Sequence, residues 1–232
     1  MSVVARSLSV LDAFGDGVPS LRLTAIAERT GLPVPTTLRL VRELVAWGGL
    51  ERQSDGSYRV GTRLWALGTR APCPQRLREA AGLRALHAAA GHSAHVAVAG
   101  AAGALVVGES GGLVPDGTVL PWHATAAGLV LLAWASPDVR ERALAAPARL
   151  TPHTVTAPGL LAERLRRIRR GDPAVAREEW RRGQTHVAVP VPGPHGRPVG
   201  ALALAARAPV PPGAVAALRR AATAAGAVLA RH

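Results

Sequence analysis

The chain has 232 residues and a formal charge of +13, and a chain of that length can form one or two domains, each with its own core. It contains no lysine, and most of the charge excess lies after residue 70, so we interpret the charge as a bias toward arginine that does not identify a partner. Its one cysteine, Cys73, excludes a disulfide framework and a thiolate metal cluster.

Three helices are predicted before residue 48. The first covers residues 4–14, where apolar residues recur at helical spacing and Gly15-Asp16-Gly17 ends the pattern. After a short extended segment at residues 21–23, the second covers residues 24–30, with Thr24 as its N-cap and Gly31 as its C-cap. The third covers residues 35–47, because proline is favoured at a first helical position and Gly48-Gly49 ends the helix.

The break between the second and third helices indicates DNA binding. A short amphipathic helix ends at Gly31, the chain turns through Leu32-Pro33, and a new helix begins, which is the pattern of a helix-turn-helix. Residues 49–61 then predict two short strands around the turn Asp55-Gly56. A helix-turn-helix followed by such a hairpin is a winged helix, so the sequence predicts a DNA-binding regulator.

The prolines at 72 and 74 predict a domain boundary, which gives a winged-helix domain over residues 1–70 and a second domain over residues 71–232. In the second domain, strands and helices alternate, which indicates an α/β domain built over one sheet. The predicted helices cover residues 75–90, 123–135, 137–146, 160–170 and 212–231. The predicted strands cover residues 94–99, 104–109, 118–122, 185–191 and 199–206.

Other classes of protein lack support in the sequence. No signal-peptide core or uninterrupted apolar run of membrane-spanning length is visible, so we expect a cytoplasmic protein with no membrane partner. No nucleophile elbow, P-loop or dinucleotide fingerprint is present, so we expect neither an enzyme nor a cofactor. His92 and His95 are spaced so that a strand sends them to opposite faces, and no third ligand is evident, so no metal site is predicted.

In order, these motifs resemble those of the IclR family of bacterial transcription factors over essentially the whole chain. The similar segments are Ala5–Leu11, Ile26–Pro33 with Thr36 and Arg39, Tyr58–Gly61 with Leu64, Leu67 and Gly68, Leu120–Gly128, Leu150–Thr154, Glu178–Trp180 with Gly183, and Val187–Val191. The resemblance implies a two-domain α/β protein with an N-terminal winged helix-turn-helix and a C-terminal GAF-like sensor domain. It also implies double-stranded DNA as a partner, a small effector that is often an organic acid or an aromatic compound, and a homodimer or a dimer of dimers.

The N-terminal side chains of the third helix are the predicted DNA readers. We expect Arg39 to bond a guanine, and Thr36 to cap the helix, touch a phosphate or meet a thymine methyl. Arg42 either contacts DNA or lies on a solvated face. The full set of predicted DNA contacts is Arg6, Arg22, Pro35, Thr36, Leu38, Arg39, Arg42, Ser57 and Arg59. The family commonly has a basic residue and then Ser or Ala where this chain has Val34 and Pro35, and an aromatic residue or His where it has Leu38. We therefore expect a different operator or a lower affinity.

The resemblance also implies an effector pocket, with its residues at Leu120, Ala126, Ala127, Ala176, Gln184, His186, Ala203 and Ala205. Alternation places Ala203 and Ala205 on one face of a strand. Alanine replaces a carboxylate at 176 and hydroxyls at 203 and 205, which predicts an apolar, roomier pocket with His186 as its main polar group. Alternatively, His186 is a hydrogen-bonded strand residue of structural importance, as we expect of His123.

Two functions remain open at this point. The first is a repressor whose DNA affinity changes when a small apolar, aromatic or organic-acid effector binds the C-terminal domain. The second is a DNA-binding regulator that works without a ligand and uses its C-terminal domain only for oligomerisation or for binding a partner. Calorimetry against metabolites separates the two, as does a pocket filled by its own side chains.

Overall fold

The computed structural model describes residues 2–15, 18–68, 70, 72–207 and 209–231, with the backbone alone at 72–74. The chain divides into two compact units after Pro72, two residues beyond the boundary predicted from the sequence. The predicted helix end at Asp16-Gly17 and the side chain of Cys73 lie outside the described residues.

The first unit is a winged helix-turn-helix, as predicted. Its elements are α1 (Val3–Asp12), α2 (Leu23–Thr30), α3 (Val34–Trp47), β1 (Leu50–Arg52), β2 (Tyr58–Val60) and α4 (Thr62–Gly68). The two strands pair antiparallel, and Leu21 adds an isolated bridge to Tyr58 at the edge of the hairpin. Val10, Ile26 and Val41 are fully buried in the core that the helices share.

One predicted cap in this unit is wrong. Residue 24 is not the N-cap of α2, because the helix begins one residue earlier, at Leu23. Its N-cap is Arg22, which makes no side-chain capping bond. The C-cap prediction is confirmed, since Gly31 has φ +67°.

The second unit is an α/β domain. Its helices are α5 (Pro72–Ala80), α6 (Leu83–Ala90), α7 (Ala126–Trp134), α8 (Pro137–Ala145), α9 (Pro158–Arg169) and α10 (Pro212–Ala230), with a 3-10 turn at Pro194–Gly196. Its strands are β3 (Ser93–Ala99), β4 (Ala104–Ser110), β5 (Val119–Leu120), β6 (Ala174–Arg177), β7 (Thr185–Val191) and β8 (Gly200–Ala206).

The six strands form one antiparallel sheet in the order β5-β4-β3-β8-β7-β6. Side-chain alternation gives the sheet two covered faces. Ala201, Ala203 and Ala205 of β8 pack on the face covered by α7 and α9. Leu202 and Leu204 point the other way, toward α5, α6 and α10. Ala201, Ala203 and Ala205 therefore lie beneath α7, and we call this side of the sheet the α7 face.

Four element predictions in the second unit are corrected. The prolines do not interrupt helicity, because α5 begins at Pro72, where proline is tolerated in a first turn. The helix predicted for residues 75–90 is two helices, since Gly82 has φ +56° between them. Strand β6 was missed, and the strand predicted for residues 118–122 has only two residues in the sheet.

Helix α10 is long and apolar enough by length and composition to cross a membrane, the one such helix among those described. Its apolar side lies on the sheet instead, where Leu218 and Ala225 are fully buried against β7 and β8. Core packing therefore accounts for the apolar residues on the inner side of α10.

Candidate functional site

The turn of the helix-turn-helix is held by local hydrogen bonds. Gly31 takes a left-handed conformation that a residue with a Cβ adopts only with strain. The buried Thr37 hydroxyl then donates to the carbonyl oxygen of Pro33 at 3.2 Å, across the turn. Leu40 and Val41 bury the inner side of α3. These contacts fix which side of α3 faces solvent.

The solvent side of α3 carries the residues predicted to read DNA. Pro35, Arg39 and Arg42 are exposed, and Thr36 and Leu38 are half-buried. Among the described residues, neither Arg39 nor Arg42 has an ion pair or a hydrogen bond to its side chain. The two guanidinium groups lie three residues apart on one helix, so they share a surface. The structure thus leaves both cations available to an external anion or base edge.

The wing presents its arginine in a paired state. Arg59 donates to Oε2 of Glu51 from Nε at 3.0 Å and from Nη2 at 2.8 Å, while about half of its side chain remains exposed. The other oxygen of Glu51 accepts from the backbone N–H of Thr62, and this bond and Arg59 hold the pKa of Glu51 below its usual value. A phosphate reaching Arg59 would have to share it with Glu51.

Three other predicted DNA contacts lie in different settings. Ser57 is buried, and its hydroxyl donates to Oδ1 of Asp55 at 2.6 Å, so it shapes the wing turn rather than presenting a free hydroxyl. Arg22 is exposed at the start of α2. Arg6 is half-buried on α1, with its Nε enclosed. Sequence reasoning passed over Arg52, an exposed cation on β1, although a basic residue in a predicted wing strand signals such a contact.

The α7 face brings the predicted effector residues together. Leu120, Ala126, Ala127, Ala203 and Ala205 belong to one packed cluster and are at most 1 % exposed. Strand pairing adds the others: His186 lies opposite Ala205 on one side and Ala176 on the other, and Gln184 contacts the His186 ring.

The pocket differs from the prediction in one respect. Instead of open space above the alanines, the structure has the imidazoles of His95 and His186, with ring centroids 6.0 Å apart, and the indole of Trp180, 5.5 Å from His186. The small side chains of Ala203 and Ala205 leave space above the strand, and these rings fill it. Sequence reasoning missed both His95 and Trp180. The signal for His95 was its alternation in the predicted strand at 94–99, which puts it on the opposite face from Val96.

Burial keeps both imidazoles neutral. Desolvation, and then the neighbouring His186, lowers the pKa of His95 to about 3. Desolvation, and then the Arg181 guanidinium, lowers the pKa of His186 to about 4. Arg181 itself lies over the Trp180 ring, 4.1 Å from its centroid. The inner end of this site is therefore uncharged at neutral pH, and the cation lies outside the indole.

The loop carrying Trp180 is locked by residues distant in sequence. The hydroxyl of Thr151 donates to the carbonyl of Glu178 at 2.6 Å, and that of Thr154 donates to the carbonyl of Glu179 at 2.7 Å. Arg164 holds the buried Glu179 carboxylate with two bonds of 2.8 Å and also donates to the carbonyl of Val175. These bonds support Glu178 at φ +56°, a conformation rare for a residue other than glycine.

The turn before α7 is equally constrained. Thr125 caps the helix, accepting from the N–H of Gly128 at 3.2 Å and donating to the carbonyl of Pro121 at 2.8 Å. A Cβ on Gly128 would lie 2.4 Å from the Pro121 oxygen. The turn therefore approaches the helix so closely that only glycine fits at position 128. His123 bonds the carbonyl of Ala148 through Nε2 at 2.8 Å, which supports the structural role expected of it.

Comparison with known proteins shows which family has both this fold and this order of motifs. The family model for the IclR helix-turn-helix domain matches residues 3–54, and the model for the C-terminal region of the bacterial transcriptional regulator IclR matches residues 113–211. A crystal structure of an IclR homolog from Microbacterium hydrocarbonoxydans, complexed with 4-hydroxybenzoate, is 31 % identical with a TM-score of 0.86, and the alignment covers 100 % of both chains. The chain belongs to the IclR family.

Further relatives agree. The structure of an IclR homolog from Microbacterium sp. strain HM58-2 is 32 % identical, with 100 % of this chain and 99 % of that chain covered and a TM-score of 0.61. The HTH-type transcriptional regulator XynR of Escherichia coli K12 is 29 % identical over 212 residues, which are 87 % of this chain and 84 % of XynR. IclR-family proteins are DNA-binding regulators and not enzymes, so this chain is a transcriptional regulator whose partner is DNA.

Proposed function

We propose that this IclR-family protein is a cytoplasmic repressor that binds an operator as a homodimer or a dimer of dimers and responds to a small aromatic acid. The observation that carries the DNA-binding part is the solvent side of α3, where Arg39 and Arg42 are exposed and have no intramolecular ion pair among the described residues. Two copies of α3 would meet half-sites about 34–36 Å apart, or multiples of that distance.

Each reading residue has a defined task in this proposal. Arg39 bonds the O6 and N7 atoms of a guanine, and Arg42 contacts a base or a phosphate one turn further along α3. Arg59 on the wing, Arg22 before α2 and the half-buried Arg6 contribute charge toward the phosphates, which positions the protein without reading sequence. Pro35, Thr36 and Leu38 shape the contact with thymine methyl groups.

The effector part of the proposal is supported by the first turn of α7. The N–H groups at the start of a helix lack partners within it, and the helix dipole is positive there, so this end suits a carboxylate. Ala126 and Ala127 begin α7 on the α7 face, beside Leu120 and the small residues Ala203 and Ala205. An apolar ring with one acid group matches this lining. The 4-hydroxybenzoate complex of the Microbacterium hydrocarbonoxydans homolog favours the same class of ligand.

A second function is favoured by one observation. The predicted effector residues other than Gln184 are at most 2 % exposed, because the domain's own side chains cover them. A domain filled in this way would serve only oligomerisation or the binding of a partner, and DNA binding would then be independent of any ligand. Isothermal titration calorimetry with benzoate and its hydroxylated derivatives separates the two functions, since only the first predicts heat of binding.

Transcription in vitro tests the regulatory direction. The template is the promoter that the protein binds, with purified polymerase, and the protein and benzoate-class acids are added separately. A repressor lowers the transcript yield, and its effector restores it. A yield that rises on adding the protein would show an activator instead. Any change produced by the effector is limited by its differential affinity for the two conformations.

A further inference from the structure

His95 and His186 lie side by side on the α7 face, although they come from strands that do not touch. His95 of β3 is opposite Ala203 of β8, and His186 of β7 is opposite Ala205 of the same strand. Since residues two apart on a strand share a face, both imidazoles stand over β8. Their planes meet at 71°, so the edge of one ring faces the other.

Three of the four imidazole nitrogens have no hydrogen-bond partner within the described part of the chain. They are Nδ1 and Nε2 of His95, which is 0 % exposed, and Nδ1 of His186, which is 2 % exposed. Native proteins pair nearly all buried polar groups, so three unpaired nitrogens in one place indicate that a further hydrogen-bonding group belongs there. Nε2 of His186 lies 3.3 Å from Oε1 of Gln184.

The available donors and acceptors can be counted. An amide oxygen only accepts, so Nε2 of His186 carries the proton and Nδ1 is a bare acceptor. A neutral His95 adds one N–H donor and one acceptor. The pair therefore offers one donor and two acceptors to whatever enters. A hydroxyl group can accept from the one N–H and donate to one of the two acceptors, whereas a carboxylate, which only accepts, would face two nitrogen lone pairs.

The surroundings favour a hydroxyl attached to a ring. Ala176, Ala203 and Ala205 form an apolar floor with little bulk, and Trp180 supplies an aromatic wall beside His186. Arg164 and Glu179 pair with each other, and Arg181 lies over the Trp180 ring, so among the described residues no charged group bonds either imidazole. A flat, hydroxylated ring can meet both the wall and the pair.

We propose that His95 and His186 select an effector that carries a hydroxyl group on its ring, with the hydroxyl donating to Nδ1 of His186 and accepting from the N–H of His95. This proposal rests on the effector-binding function proposed above and names the feature by which the same site distinguishes its ligand. The hydroxyl keeps its proton, because a phenol with a pKa of about 10, as in tyrosine, is a far weaker acid than either imidazolium.

Calorimetry on the full-length protein tests the proposal, with benzoate and its 2-, 3- and 4-hydroxy derivatives as probes. We expect at least one hydroxybenzoate to bind about tenfold or more tightly than benzoate, because a site built to bond a hydroxyl leaves buried groups unpaired when the hydroxyl is missing. The absorption spectrum of that bound acid should be that of a phenol and not of a phenolate.

Substitutions of His95 and His186 test whether these two residues cause the preference for a hydroxybenzoate over benzoate. His95→Leu and His186→Leu should each bring the affinities for benzoate and the preferred hydroxybenzoate to within about twofold, while benzoate itself still binds. His186→Asn restores an acceptor at a similar position and should recover part of the preference. This variant also tests the proposal if a leucine variant fails to fold. His153→Leu is the matched control, since His153 is exposed, and it should leave the preference intact.

The possible failures are distinguishable. Equal binding of benzoate and all hydroxybenzoates by the unaltered protein would overturn the role of the pair and leave the proposed effector class standing. A hydroxybenzoate preference that survives in both leucine variants would do the same. Binding of none of these acids would overturn the effector class, and the role of the pair with it.

Discussion

Removing the two buried histidines should make the second unit resistant to mild acid. In the folded protein the pKa values of His95 and His186 are lowered to about 3 and about 4, whereas in an unfolded chain a histidine has a pKa of about 6.5. As the pH falls below that unfolded value, the unfolded state takes up protons that the folded state refuses, so stability declines until the folded pKa is reached. Between pH 8 and pH 5 each histidine costs about 2 kcal/mol of unfolding free energy, and the two together about 4 kcal/mol.

The assay is urea unfolding at pH 8 and pH 5, followed by circular dichroism, for the wild type and for the double variant His95→Leu/His186→Leu. Carboxylates such as Glu51 also titrate in this range, but they are common to both proteins and cancel in the difference. The two leucines remove three unpaired nitrogens, so the double variant should be at least as stable as the wild type at pH 8. On going to pH 5 it should lose about 4 kcal/mol less unfolding free energy than the wild type. His153→Leu, altered at an exposed position, should follow the wild type. The same loss of stability in the wild type and the double variant would refute the reasoning.

Three further predictions concern single residues. Arg39→Ala should reduce the preference for operator over random DNA by about 1–3 kcal/mol in fluorescence anisotropy, and an unchanged preference would remove Arg39 from the reading surface. Arg164→Leu should destabilise the second unit by about 3 kcal/mol in urea unfolding, because Glu179 stays buried without its partner. Arg166→Leu, which breaks the exposed pair with Glu163, is the control and should cost under about 0.5 kcal/mol. Gly128→Ala should cost about 2 kcal/mol or more by the same assay, since its Cβ would lie 2.4 Å from a backbone oxygen, and a neutral result would show that the turn relaxes freely.

The reading surface was largely predictable because its determinants are local. Gly31, Leu32 and Pro33 are consecutive, and together they set both the turn and the start of α3. The outward side of α3 then follows from helical spacing, which places Arg39 opposite the buried Val41. The misplaced start of α2 has a local cause as well, since a threonine typical of an N-cap stands one residue inside the helix.

The effector site was predictable only in part, because its parts meet through long-range pairing. Strand β6 consists of four residues and lies at the sheet edge, where its pairing with β7 and not its own pattern defines it. The approach of His95 to His186 depends on β8 lying between their strands, an order that no local pattern reveals. The bonds from Thr151 and Thr154 to the Glu178-Glu179 backbone likewise span 25 residues or more.

Binding to DNA from upstream of the protein's own gene tests the central claim most directly. Fluorescence anisotropy would compare that fragment with a scrambled duplex of equal length at several salt concentrations. A sequence-specific regulator binds the native fragment more tightly, and the affinity gap persists as salt weakens the phosphate contacts common to both duplexes. Equal affinities that fall steeply and together with salt would contradict the account, because they would mean that only the arginine charge is being sensed.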